Sequence, residues 1–307
     1  MRALLIYLAI SFGLSWLVAL PLWLGDGLDS PLLVVVAVTM MFAPAVAALV
    51  VVRFVERRPV ARSLGLTHVR PWGRFFGWLA LAFVVPVLLV LAALPVAAAF
   101  GLYEMDLVGF SGFQEVVDDQ LAVLGGAGQV DVPIQVLVAL QLVNVVIGSV
   151  VNLVPALGEE LGWRGWLLPH LMRRTHVATA VVVSGVIWGL WHAPVVLLGY
   201  NYPTASPWVA LVTMVGSCTV IGAVFSWLRL RSGNVWAPAL AHGAFNAAAG
   251  MHVLFIAAGT SLDTTQATVL GWSGWIVPAV LIAVLAATGQ FRGRPSARRD
   301  VAAPSAV

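Results

Sequence analysis

Apolar runs of about 20 residues, repeated along the chain and separated by short loops that carry arginine, constrain this sequence more than any motif in it. A run of that length as a helix matches a hydrocarbon core roughly 30 Å thick. Only 9% of the 307 residues are charged, against roughly 25% in soluble domains. In lipid every backbone N–H and C=O must be paired internally, which leaves helices or a closed barrel. The period-2 alternation of a barrel is absent. The expected fold is an all-α membrane protein: an eight-span transmembrane helical bundle with both termini inside.

The spans are expected at about residues 3–24, 31–52, 75–100, 140–172, 177–198, 208–228, 235–258 and 269–288. The fourth has an interfacial or tilted lead-in from 133 and a bend near Pro155 or Pro169. The first resembles a signal peptide only superficially, being too long for an h-region and lacking a small-residue cleavage site. Residues 1–290 read as one polytopic domain with a motif-bearing core at about 144–250. Residues 291–307 read as an arginine-rich, disordered cytoplasmic tail. Residues 101–132 hold six acids and no base. They read as a solvated external loop, flexible at Gly125, Gly126, Ala127 and Gly128, without calcium-loop spacing.

All 16 basic residues are arginine. With the N-terminus inside, every arginine except Arg2 and Arg164 falls in inner loops 53–74, 173–176 and 229–234 or in the tail. No outer loop has one. The positive-inside rule therefore orients the chain as a multi-pass protein of the cytoplasmic membrane. The arginines gather on no single face, so no nucleic-acid partner is expected. The lone Cys218 excludes a disulfide framework and reads as a small packing residue.

Against this background Glu159, Glu160 and Arg164 are costly. Ionisable groups inside a membrane usually line a pathway or a reaction site. Glu160 and Arg164 stand at i,i+4 with the acid first, the favourable order for a same-helix ion pair. Glu159 projects about 100° away and needs another partner. Two later segments offer polar groups, Trp188 with His192 and His242 with Asn246, the latter two again i,i+4. At about 1.5 Å per residue, Glu159, His192, His242 and Asn246 all lie roughly 16–27 Å inward from the inner arginines. Packing alone would explain the Glu160–Arg164 pair and leave Glu159 unassigned. Trp163, Trp188 and Trp191 are placed to shape a pocket. His68, His170 and His176 are expected near the inner interface and solvated, His252 as a bystander, and Asn144 and Asn152 as packing residues.

The chain has no H-E-x-x-H, G-x-S-x-G or G-x-G-D, and no Walker A motif, so zincin-like, serine and aspartyl proteolysis and ATP-driven transport lack support. Glu-Glu-x-x-x-Arg, aromatic-x-x-x-His and His-x-x-x-Asn, in that order on late helices, resemble the CAAX-prenyl-protease and bacteriocin-processing (CPBP, or Abi) family of intramembrane proteases. Trp188 departs from the phenylalanine that usually begins the second motif.

The resemblance implies that Glu159 with His192 activates a water, that His242 and Asn246 stabilise the oxyanion, and that Glu160 and Arg164 organise the site. A buried carboxylate beside an imidazole can act as a base, and donors facing a dry cavity stabilise a developing oxyanion. Glu159, His192 and His242 are also a two-histidine, one-carboxylate set of the kind that holds zinc. A metal-free mechanism uses the same residues and is preferred, because a Glu–His pair already supplies a base. The expected partners are membrane lipid and a peptide or membrane-associated protein substrate, with the site opening to the cytoplasm. The alternatives are a non-catalytic scaffold or bacteriocin-immunity partner, and a proton-coupled transporter, which would show repeated half-bundles that the chain lacks.

Overall fold

Helix is the only regular structure among the described residues, apart from one isolated bridge between Met105 and Ile256. The computed structural model describes residues 1–67, 69–123 and 132–291. His68, the glycine-rich run at 125–128, Asp131 and the arginine tail lie outside the described residues.

The main helices are α1 (Arg2–Leu24), α2 (Leu33–Val55, interrupted at Met41 and Phe42), α3 (Trp72–Ala99), α4 (Ser111–Val123), α5 (Ile134–Met172), α6 (Val177–Trp191), α7 (Pro207–Ser232), α8 (Trp236–Ala248) and α9 (Ile276–Ala287). Five of them, α1, α2, α3, α5 and α7, are long and apolar enough to cross a membrane. The other three of the eight expected runs are interrupted among the described residues. Pro194 lacks the N–H to continue α6, and the chain turns into Ala193–Val196. α8 loosens into a 3₁₀ turn at Ala249–Met251, and the last run opens with another at Trp272–Trp275.

α5 has 39 residues and is therefore about 58 Å long, nearly twice the thickness of a hydrocarbon core. The expected lead-in is thus the N-terminal part of the same helix. Val143, Ile147, Val150, Val151 and Val154 form an exposed apolar row along it, the surface a lipid-facing helix presents.

The acidic stretch is not wholly a loop. Asp106 accepts hydrogen bonds from the backbone N–H of Val108 (3.1 Å), Gly109 (2.7 Å) and Ser111 (3.0 Å), which nucleates α4. The Ser111 hydrogen bonds, then the Gly109 and Val108 amides, hold this carboxyl below the ordinary aspartate range. α4 buries Phe113 and packs on the short turn His252–Phe255.

Two close helix contacts position the polar motifs: α8 on α5 and α6 on α7. A Cβ at Gly243 would lie 2.8 Å from the Ser149 carbonyl oxygen and 2.9 Å from the Leu153 nitrogen. One at Gly189 would lie 2.4 Å from the Val215 Cα. Only glycine permits such approach of backbones, the packing mode membrane helices favour.

Candidate active site

Near its C-terminal end α5 departs from α-helical register. Residues Leu161–Leu167 form a π-helical segment, in which the Leu168 N–H reaches back to the Trp163 carbonyl. The proline that follows accounts for it. In a regular helix the Pro169 ring would strike the carbonyl of Gly165, and widening the turn relieves that clash.

The first motif lies at this junction. Glu159, Glu160 and Arg164 are all buried, at 2%, 0% and 1% exposure. Arg164 Nη1 donates to Glu160 Oε1 at 2.7 Å. His242 Nδ1 meets the same oxygen at 3.0 Å, joining α8 to α5. Arg164 also donates from Nη2 to the Gly222 carbonyl of α7 at 3.3 Å, and its guanidinium lies over the Trp188 ring at 4.5 Å. One carboxylate thus collects a guanidinium and an imidazole, while its Oε2 has no hydrogen-bond partner among the described residues.

Glu159 has a separate set of partners. Its Oε2 accepts the indole N–H of Trp163 (3.0 Å) and that of Trp188 (2.7 Å). Its Oε1 has no protein hydrogen bond among the described residues. Four residues on, His192 Nδ1 lies 2.9 Å from the Trp188 carbonyl. A carbonyl can only accept, so Nδ1 carries the proton and the lone pair of neutral His192 is on Nε2. The His192 ring centroid is 5.8 Å from that of Trp188, and that of His242 is 5.2 Å away. Trp188 therefore touches the acid, both histidines and the arginine.

Asn246 is not drawn into this cluster. It is exposed, one turn beyond buried His242, and makes no hydrogen bond among the described residues. His170 corrects the expectation of a solvated side chain. It is 1% exposed and stacks on Trp166 at 4.4 Å, with Arg173 Nη2 3.2 Å from its Nδ1. His176 is exposed. Asn144 and Asn152 bond within their own helix, to Gln141 Oε1 and the Gly148 carbonyl. His252 Nδ1 is held by the Ala249 carbonyl. Cys218 is buried, its Sγ 3.8 Å from His192 Nδ1.

The zinc set is not assembled. Among the described residues no three His, Cys, Asp or Glu side chains are grouped as a metal ion requires. The residues as they stand do not fit the ion, and no step is derived through one.

The two indole donors were the part of this geometry hidden from motif reading. Trp163 follows Glu159 at the same i,i+4 spacing as Arg164 follows Glu160, so that half was available in the spacing. Trp188 is reached only through the packing of α6.

Residues 140–248 match the family model described as type II CAAX prenyl endopeptidase, Rce1-like. The chain is also similar to CAAX prenyl protease 2 of Methanococcus maripaludis, at 31% identity over 84 residues, or 26% of this chain and 31% of that relative. The match thus spans about a third of the curated relative's own length. Residues 140–248, the stretch that holds all three motifs, are thus similar to the Rce1-like CAAX prenyl endopeptidases, in agreement with the CPBP resemblance carried by the motifs.

Proposed function

We propose that this chain is an intramembrane endopeptidase in which Glu159 and His192 activate a water to hydrolyse a peptide bond of a membrane-associated protein or peptide. The observation that carries this reading is the division of labour at Glu159: two indoles hold Oε2, and Oε1 has no protein donor among the described residues. A carboxylate pinned by one oxygen offers the other as a base in fixed orientation. His192, with Nδ1–H on the Trp188 carbonyl, presents Nε2 as a second acceptor.

In this mechanism the water gives a proton to Glu159 Oε1 as its oxygen attacks the scissile carbonyl. The proton then passes to the leaving amine, either directly or through His192. His242 would stabilise the oxyanion. Its Nδ1 faces Glu160, so Nε2 carries a proton only in the imidazolium form. Glu160 Oε1, shared between Arg164 and His242, fixes the orientation of the His242 ring. Asn246, exposed one turn along α8, would join only with substrate bound. The site is proposed to open to the cytoplasm of a multi-pass protein oriented with both termini inside.

A purified wild-type chain in proteoliposomes should cleave members of a peptide library. It should show no substrate uptake driven by a pH gradient. Uptake without cleavage would favour the proton-coupled transporter, and neither activity would favour the scaffold.

A further inference from the structure

The π turn leaves one backbone group in difficulty. With the Leu168 N–H given to Trp163, the Arg164 carbonyl must look to the next residue, in i+5 register. That residue is Pro169, which has no N–H. A buried carbonyl without a donor is costly, so its partner has to come from elsewhere.

It comes from α7. Arg229 Nε donates to the Arg164 carbonyl oxygen at 3.0 Å, from 65 residues along the chain. Two turns earlier on α7, the Gly222 carbonyl accepts the Arg164 side chain at 3.3 Å. Ser226, between the two, donates to the same Gly222 oxygen at 2.7 Å. One stripe of α7 therefore grips Arg164 by both side chain and backbone. Among the described residues no carboxylate pairs with Arg229. Arg229 lies half-buried in the last turn of α7, and its Nε meets the orphan carbonyl.

We propose that Arg229 is a positioning residue for the hydrolytic site: by capping the carbonyl that Pro169 leaves unpaired, it fixes the wide turn that aims Glu159 and Glu160. Its kinetic consequence rests on the peptidase reading; its structural consequence does not. Release of the cap frees the π segment to shift register, which carries the Glu160–Arg164 pair away from His242.

The test is a compensation experiment. Arg229→Met removes the donor and keeps the bulk. It should lower the unfolding midpoint by on the order of 4 °C and turnover by roughly tenfold, with KM nearly unchanged. Arg229→Lys should recover part of both. Pro169→Ala in the Arg229→Met background gives the Arg164 carbonyl a backbone donor and should restore the midpoint, while turnover stays low because the ring that imposes the wide turn is gone. A merely structural loss would not be repaired by adding one N–H on another helix. Wild-type midpoint in Arg229→Met, or failure of Pro169→Ala to restore it, would overturn the proposal. If Arg229→Met does not fold, folding of the double variant decides in the same way. If the wild type cleaves nothing, the midpoints still decide, and only the peptidase reading is lost.

Discussion

Trp188 donates its indole N–H to Glu159 Oε2 at 2.7 Å, a bond that the phenylalanine usual at this place in the family cannot make. The same ring carries the Arg164 guanidinium on its face and His242 against its edge. Hydrogen bonds to a charged group contribute about 1.5–3 kcal/mol. Trp188→Phe keeps an aromatic ring and removes the donor. Turnover should fall by roughly tenfold or more while the circular dichroism spectrum is unchanged. Trp163→Phe should do less, since its bond is longer and Trp188 remains.

Glu160 is the carboxylate of a buried pair. Glu160→Gln leaves Arg164 charged and without an acid, a change that typically costs about 3–5 kcal/mol. The variant should unfold at a markedly lower temperature than wild type. Adding Arg164→Met should recover part of the loss, because the stranded charge is then gone. Unfolding midpoints of the two single variants and the double variant check this as a cycle.

Gly243 lets α8 lie against the α5 backbone at Ser149 and Leu153. Gly243→Ala must move α8 outward, and His242 with it. Overpacking of this kind costs about 1–3 kcal/mol. Peptide turnover should fall more than stability does, because the His242–Glu160 bond of 3.0 Å is broken by a small displacement. Paired turnover and unfolding measurements separate the two effects.

Just past the C-terminal end of α2, Glu56 ties that helix to α5. Burial alone would raise its carboxyl, but His170, Arg173, Trp166 and Arg58 outweigh burial and hold it below the ordinary glutamate value. A depressed folded-state carboxyl contributes stability above its unfolded value, and that contribution is lost as pH falls through the folded value. Glu56→Gln should therefore lower the unfolding midpoint at pH 7 by on the order of 2–4 °C. The difference should close as pH drops below about 4, the range where an unfolded glutamate takes up its proton. Midpoints measured across pH 3–7 test this.

Spacing made the Glu160–Arg164 contact legible, since i,i+4 neighbours on a helix meet wherever the helix lies. It could not reveal that His242 shares the same oxygen, because the offset between α5 and α8 is set by Gly243, not by either motif. The π turn was hidden for a related reason: Pro169 signals a break, but its remedy stands on α7. Hydropathy reads the runs across Pro194 and Gly250 as continuous, whereas the helices break there. The acids at 101–123 read as solvated loop because their spacing says nothing of Asp106 capping a helix. His170 read as interfacial by position. Its burial follows from the ring of Trp166 and the charges of Glu56 and Arg173 around it.

The most direct test of the proposed chemistry is the initial rate of peptide cleavage by Glu159→Gln, beside wild type, in the same proteoliposomes. Glutamine keeps an oxygen for the two indoles and cannot take a proton from water at neutral pH. Cleavage should fall to background with the unfolding midpoint nearly unchanged. Turnover equal to that of wild type would contradict the assignment of Glu159 as the base.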